Sequence, residues 1–440
     1  MSAPVRAKHR LLTVLGVTFG LAVTIGNIIG AGILRTPGDV AAHLPTFWPF
    51  LLIWIAGGLY ALLGANALAE LGTMVPRSGG QYVFVRHALG DYAGFIVGWS
   101  DWLSTCGTTA AVSIVIGEYA VVLFPQFRAT EVIALGVVLI FTIVQWFGTR
   151  WGSGAQNVTS ALKALAFVLL IATCLFLGAR NPAATSFEPE REGSLLLAVI
   201  LSLQAVIYTY DGWTAVIYFS EEVREPSKNI PRAMIGGILL VIAIYLLTNI
   251  AFLRVLPLGS LGGEKLAAAT VARSLFGPRG DTIVRSLTIV ALLSAVSSNV
   301  LMAPRVLFAM SRDRLFWRGA REVNAGGTPD VALLCSSVVA AIFIISGRFE
   351  EVLAVLAFFF VANYTLSFAS LFAMRRREPL TPRPYRAWGH PLTTGIALLA
   401  SVAFLVGAVA SDTRMSLWAL GILTLSVPAY IMVRPGATAS

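Results

Sequence analysis

The sequence predicts an all-α integral membrane protein with about twelve transmembrane helices. Of its 440 residues, 57% are hydrophobic and only 12% are charged, whereas soluble domains carry about 25% charged residues. Most of its apolar segments also reach the ~20 residues that a helix needs to cross a bilayer. Finally, Arg and Lys cluster between these segments on one side of the membrane, as the positive-inside rule describes. We therefore expect a single transmembrane domain over residues 1–440.

Twelve predicted spans follow one another with short connections. They cover 14–44, 47–75, 92–124, 130–148, 157–179, 195–222, 233–256, 283–311, 331–347, 350–374, 392–411 and 415–433. The connections 180–193 and 257–281 are expected on the outer side, the latter with a short helix at 264–276. An even number of spans puts both termini on one side, and the basic clusters place that side in the cytoplasm. The expected location is the cytoplasmic (inner) membrane.

Composition and motifs exclude several functions. The net charge of +10 does not indicate nucleic-acid binding, because no soluble basic domain is present to carry it. Cys106, Cys174 and Cys335 lie in apolar segments, where a cysteine behaves as a small core residue. The four histidines are scattered near segment ends, and neither a P-loop nor a G-x-S-x-G motif occurs. We therefore predict no enzyme activity, no metal and no cofactor.

Two short segments interrupt the apolar pattern: a first break at 27–33, in the first span, and a second break at 208–213, in the sixth. Gly30 and Gly32 permit backbone conformations that other residues resist. Asp211 puts an ionisable group at membrane depth, where it is costly. In lipid, irregular backbone is tolerated only where it lines a cavity or is buried in protein. The two breaks therefore indicate a binding site.

The position of the breaks also predicts an internal repeat. They are separated by about half of a ten-helix core, which is the spacing expected of two inverted five-helix repeats. The first repeat would cover 14–179 and the second 195–374, with two additional helices at 392–433. No strong sequence identity between the halves accompanies this spacing, so the prediction depends on the breaks alone.

A broken helix exposes N–H groups at the start of one half and C=O groups at the end of the other. We expect the N–H groups of Ala31, Gly32 and Ile33 to receive a carboxylate. The C=O groups of Ile28 and Tyr208 would accept an ammonium group. A zwitterion would then be held without a charged side chain. The alternative is that the glycines of the first break only allow close helix packing.

Four motifs, in order along the chain, resemble those of the amino acid–polyamine–organocation (APC) superfamily. They are IIGAGI at 28–33, ELGTMVPRSGGQY at 70–82, YTYDGW at 208–213 and PYRAWGHP at 384–391. The chain resembles bacterial relatives of the L-type amino acid transporters most. It departs from the usual motifs at Ala31, where Ser is common, and at Gln81, where Glu is common. The first departure removes a hydroxyl donor, so carboxylate binding would depend on backbone N–H groups.

This resemblance implies a LeuT-like fold and a function. The fold is a five-plus-five inverted repeat with broken helices 1 and 6. The implied function is secondary transport of L-amino acids by alternating access, with proton symport as the main expectation. Amino acid exchange and a non-transporting sensor of the same fold are the alternatives. The aromatic ring of Tyr208 stands where the family has a gate residue, although it is also explained as a packing aromatic. The 124–130 loop has no cysteine, so we expect no disulfide-linked heavy chain.

Lys163 is the only one of the four lysines inside a predicted span. Its position two turns from a span end also allows it to extend its ammonium group to the membrane interface. Members that resemble this chain place a lysine where sodium-coupled relatives hold sodium. The resemblance therefore implies that the ammonium group replaces a cation beside Gly26 or Ile29, as a fixed charge or a proton carrier.

Other polar residues at membrane depth allow several roles. Asp211 is expected to bond broken backbone N–H groups, to contact a substrate amine or to exchange protons. Asp101 is expected to pair with an arginine or to face the cavity, and Glu118 to be solvated. Ser297 and Ser298 resemble a remnant of a second sodium site, although serines in spans commonly bond their own helix.

Overall fold

The structure is a computed structural model that describes residues 11–127, 129–178, 194–346, 349–411 and 413–433. Within these ranges the chain forms sixteen α-helices: α1 (Val17–Ile28), α2 (Gly32–His43), α3 (Phe47–Met74), α4 (Gln81–Leu89), α5 (Asp91–Leu123), α6 (Thr130–Trp146), α7 (Thr149–Leu177), α8 (Leu195–Thr209), α9 (Pro226–Val255), α10 (Leu258–Leu261), α11 (Ala267–Phe276), α12 (Arg279–Arg312), α13 (Asp330–Ser346), α14 (Phe349–Arg377), α15 (Leu392–Ser411) and α16 (Thr413–Val433). Two short 3-10 helices cover Ala215–Phe219 and Arg318–Arg321.

Seven of the described helices are long and apolar enough to cross a membrane, or eight if the bent pair α1–α2 counts as one span. In α15 and α16 only 17% of the apolar window is buried inside the protein. Such extensive exposed apolar surface is unfavourable in water and favourable in lipid. The all-α, multi-pass membrane class is therefore confirmed. Seven or eight of the twelve predicted spans thus correspond to helices that are long and apolar enough to cross a membrane.

The predicted boundaries agree with the helices except where a helix begins with polar residues. α7 begins at Thr149 instead of 157, and α9 begins at Pro226 instead of 233. A hydropathy pattern misses these first turns because their residues are polar. The short helix expected at 264–276 is present as α11. The connection predicted at 180–193 lies outside the described residues.

The connections gather at two ends of the helical bundle. The basic face contains the loops 75–80, 220–225, 313–329 and 378–391, which are joined by ion pairs such as Arg77 with Asp313, at 2.8 Å. The opposite face contains 44–46 and 256–266, where the N–H of Gly263 donates to the carbonyl of Gly38 at 3.1 Å. Between the two faces, α5 and α12 form the most extensive helix pair, and α1 packs on α9 and α7.

Candidate functional site

The first break bends the first span by 45° between α1 and α2. α1 ends at Ile28 and α2 begins at Gly32, so the N–H groups at the start of α2 have no partner in a preceding turn. A Cβ on Gly32 would lie 3.0 Å from the Thr209 side chain, whereas a Cβ on Gly30 would meet no atom within 4 Å. Gly32 therefore allows the two breaks to pack closely against each other, whereas Gly30 borders open space.

Lys163 of α7 binds the carbonyl side of the first break, at the end of α1. Its side chain is completely buried, and its Nζ donates to the carbonyl of Gly26 at 2.6 Å and to that of Ile29. Both residues that the family resemblance named as alternatives, Gly26 and Ile29, therefore contact Lys163. Lys163 does not extend to the membrane interface, and no salt bridge of the described residues includes it. Its ammonium group thus lies against the partial negative charge at the end of α1.

The second break is longer and less regular than the first. α8 ends at Thr209, and the chain passes through turns to the 3-10 helix at Ala215–Phe219. Gly212 has φ of +106°, a conformation that favours glycine. The Asn27 side chain donates its Nδ2–H to the Gly212 carbonyl at 3.3 Å. The hydroxyls of Thr36 and Thr209 lie 2.8 Å apart, so two direct contacts join the breaks.

Tyr245 of α9 forms a third link that the sequence did not predict. Its hydroxyl lies 3.0 Å from the carbonyl of Ile28 and 3.0 Å from that of Thr209. These are the last residues of α1 and α8, whose carbonyls lack helical partners. The available signal was a buried tyrosine within an apolar span, since a buried tyrosine hydroxyl usually has a partner.

A cavity of about 620 Å³ lies between the two breaks. It brings together Ile28, Ala31, Gly32, Tyr208 and Asp211, which is most of the site predicted from the sequence. Its volume is within the usual range for small-molecule sites, about 300–1,000 Å³.

The remaining predicted site residues lie outside the cavity lining. Ile33 is buried in the core, and Lys163 is behind the first break. Ser297 and Ser298 are buried, and neither side-chain hydroxyl makes a hydrogen bond within the described part of the chain. The polar contacts between α1, α7 and α12 come instead from Gln156, Ser160 and Ser294. Ser160 Oγ donates to the Ala22 carbonyl at 2.7 Å and lies 2.9 Å from Ser294 Oγ.

Two acids at membrane depth are each bonded by a tyrosine. The Tyr364 hydroxyl of α14 donates to Asp211, which lines the cavity. The Tyr218 hydroxyl lies 2.7 and 2.9 Å from the two carboxylate oxygens of Asp101. The expectation that Asp101 pairs with an arginine or faces the cavity is wrong.

The cavity is open to the opposite face and closed towards the basic face. At the open end its lining includes the exposed residues Arg35, Asp39 and Lys265. At the closed end, Glu222 and Arg305 are completely buried and paired, with nitrogen–oxygen distances of 3.0 and 3.1 Å. The chain before α1 bonds the same region, since the Leu15 N–H donates to the Glu222 carbonyl at 2.8 Å. A ligand therefore reaches the breaks from one face only in this conformation.

A multi-pass helical bundle with broken helices around a mid-depth cavity, open to one face, has the architecture of a secondary transporter. The family model for amino acid permeases matches residues 12–427. The chain belongs to this family, which is part of the APC superfamily and consists of transporters, not enzymes. The resemblance of the four motifs is thus confirmed.

Three relatives match most of the chain. The serine/threonine exchanger SteT of Bacillus subtilis is 28% identical over 423 residues, which are 94% of this chain and 95% of SteT. The human b(0,+)-type amino acid transporter 1 is 28% identical over 401 residues, covering 89% of this chain and 81% of the relative. The human large neutral amino acids transporter small subunit 2 is 26% identical over 430 residues, covering 95% and 80%.

Proposed function

We propose that the protein exchanges neutral L-amino acids across the cytoplasmic membrane by alternating access. The observation that carries this proposal is the cavity between two broken helices, which is lined at the start of α2 and at the ends of α1 and α8. Exchange is favoured over proton symport because SteT, which matches the chain over most of its length, is named an exchanger. The small Ala31 and the apolar Val112, Leu292 and Phe360 in the lining favour neutral side chains.

In this proposal the breaks bind the backbone of the substrate. The carboxylate binds the N–H groups of Ala31, Gly32 and Ile33, where the start of α2 carries partial positive charge. The ammonium group binds the carbonyls of Ile28 and Tyr208. The Ile28 carbonyl already accepts the Tyr245 hydroxyl, and the Tyr208 carbonyl accepts the Asp211 N–H at 3.1 Å. Each carbonyl oxygen has a second lone pair for the substrate.

The side chains around the breaks have separate roles. Tyr208 covers the substrate, because its exposed ring lines the cavity. Asp211 fixes the second break through Tyr364 and is close enough to select against acidic substrates. Lys163 acts as a fixed cation in place of sodium, supported by its two carbonyl partners. Ser297 and Ser298 are the remnant of a second ion site, consistent with their unbonded hydroxyls.

The proposed topology follows from the helices and the charge pattern. Twelve spans form repeats at 14–179 and 195–374 with two added helices at 392–433, and rocking of one group of helices against the other opens each face in turn. The basic face is cytoplasmic, with both termini, because Arg-rich loops remain in the cytoplasm. The partners are amino acids, the lipid bilayer and protons in the symport alternative. We propose neither nucleic-acid binding nor a disulfide-linked heavy chain.

Uptake into proteoliposomes tests the proposal. Labelled serine, leucine or arginine would be added outside vesicles that are empty or preloaded with the same unlabelled amino acid. Exchange predicts uptake of a neutral amino acid into preloaded vesicles only, with or without a pH gradient. Uptake into empty vesicles driven by an inward proton gradient would establish symport instead. Substrate binding without flux in either case would identify a sensor.

A further inference from the structure

The Asp101 carboxylate lies between the cavity and the basic face without a cationic partner. Its side chain is 1% exposed, and the salt bridges of the described residues do not include it. Within the described residues, the Tyr218 hydroxyl is its hydrogen-bond partner. An ionised carboxylate buried without a counter-ion costs several kcal/mol. Binding of one proton removes this cost, because the carboxyl form is neutral.

Charged and titratable groups on the helices around Asp101 either have other partners or lie in the first turns of their helices. α5 packs against α4, α6, α12, α13, α14 and α16. On α4, Tyr82 and Arg86 contact Asp313. On α12, Arg305 pairs with Glu222, and on α14, Tyr364 donates to Asp211. The first turns of α6, α13 and α16 contain Glu131, Asp330 and Arg414. Among the described residues, the helices packed on α5 therefore supply no ion pair to Asp101.

The Tyr218 hydroxyl connects Asp101 to the cavity. Tyr218 lines the cavity together with Gln81. The Tyr218 hydroxyl donates to the Asp101 carboxylate at 2.7 Å. A proton from water in the cavity thus has a route to the buried acid through one tyrosine hydroxyl.

The Tyr218–Asp101 contact also joins two parts of the molecule. Tyr218 belongs to the 3-10 helix that follows the second break. Its ring packs against Gly80, where an added Cβ would lie 2.6 Å from the nearest ring carbon. Asp101 belongs to α5, which packs on α12. The contact therefore joins the broken sixth span to α5 on the closed side of the cavity.

We propose that Asp101, with Tyr218, is a proton-binding site that stabilises the conformation closed at the basic face. One proton adds to a carboxylate oxygen of Asp101 when this face is closed. The same proton leaves to water when the face opens and Tyr218 separates from Asp101. Acidification therefore favours the conformation with the cavity open to the opposite face. This inference rests on the proposed transport function and adds a pH dependence to it.

The test is exchange in preloaded proteoliposomes at equal internal and external pH, varied from about pH 5 to 9. The apparent affinity for substrate added on the opposite face is expected to rise as the pH falls, through one titration step. Asp101→Asn is expected to abolish this step and to leave an affinity independent of pH. Glu118→Gln, which removes an exposed carboxylate from the same helix, is the matched control and should keep the wild-type profile.

Tyr218→Phe provides a second test if Asp101→Asn does not fold. It keeps the ring that packs on Gly80 and removes the hydroxyl that donates to Asp101, so the titration step should shift. A wild-type affinity that does not change with pH, or an unchanged titration step in Asp101→Asn or Tyr218→Phe, would overturn the proton site. Exchange would continue in that case, whereas absence of exchange at every pH would instead reject the transport function.

Discussion

The first break joins two α-helices, whereas the second joins α8 to a 3-10 helix through residues 210–214. A buried lysine lies behind the first break and bonds its carbonyls. An acid lies in the second break and accepts a hydrogen bond from a tyrosine. The first break is thus supported by a positive charge and the second by a negative one. The substrate site thus lies between Lys163 and Asp211, and each of these side chains already has a hydrogen-bond partner in the protein.

This difference explains why backbone groups remain for the substrate. Lys163 bonds the carbonyls of Gly26 and Ile29, and leaves the N–H groups at the start of α2 facing the cavity. The Asp211 carboxylate is bonded by Tyr364, and the Tyr208 and Thr209 carbonyls at the end of α8 each accept a hydrogen bond and keep a second lone pair. The side chains organise the breaks, and the backbone presents complementary partial charges.

Lys163→Ala should have the largest effect, because it removes the charge behind the first break. The carbonyls of Gly26 and Ile29 would lose their donor in a buried place, which costs about 1–3 kcal/mol for each group. We expect exchange to fall by more than about tenfold in proteoliposomes. Lys228→Ala is the matched control, since Lys228 is exposed and pairs with Glu225 at the surface, and it should retain exchange. Full exchange in Lys163→Ala would reject the cation-surrogate role.

Two glycine substitutions compare the breaks directly. Gly212→Ala places a Cβ 2.7 Å from the Asn27 amide at a φ of +106°, so it should destabilise the protein by about 2 kcal/mol or more. Gly30→Ala meets no protein atom within 4 Å, so it should keep thermal stability and weaken substrate affinity roughly tenfold. Thermal unfolding in detergent and substrate competition would separate the two effects. Equal losses of stability would show that the Gly30 side of the break is not open to substrate.

Tyr245→Phe should have the smallest effect. It removes one hydroxyl shared by the carbonyls of Ile28 and Thr209, which is worth about 1 kcal/mol. A small decrease in unfolding temperature is expected, with a modest change in substrate affinity because both carbonyls keep access to the cavity. A loss of exchange as large as that of Lys163→Ala would mean that Tyr245, and not the backbone, controls the site.

The sequence was sufficient for the helices and for the breaks. Hydropathy predicts the apolar segments, and Gly30, Gly32 and Asp211 identify where two of them are interrupted. The family resemblance implied the place of Lys163 beside Gly26 or Ile29, whereas the sequence alone also allowed its ammonium group to extend to the membrane interface. These features are local in the sequence, or depend on a single residue that is costly in lipid.

Contacts between distant segments could not be predicted in the same way. Glu222 and Arg305 are 83 positions apart, and either residue alone is consistent with a loop or a vestibule. The Tyr218–Asp101 contact spans 117 positions and depends on how the 3-10 helix packs against α5. Such pairings are set by tertiary packing, which neither periodicity nor composition specifies.

Recognition of the amino acid backbone by both breaks together is the central claim, and competition during exchange tests it most directly. The inhibitors would be the transported amino acid, its methyl ester, which lacks the carboxylate, and its N-acetyl derivative, which lacks the ammonium group. We predict that the amino acid inhibits labelled uptake into preloaded vesicles, and that both derivatives are more than about tenfold weaker. Inhibition by either derivative as strong as that of the amino acid would contradict the assignment of the corresponding break.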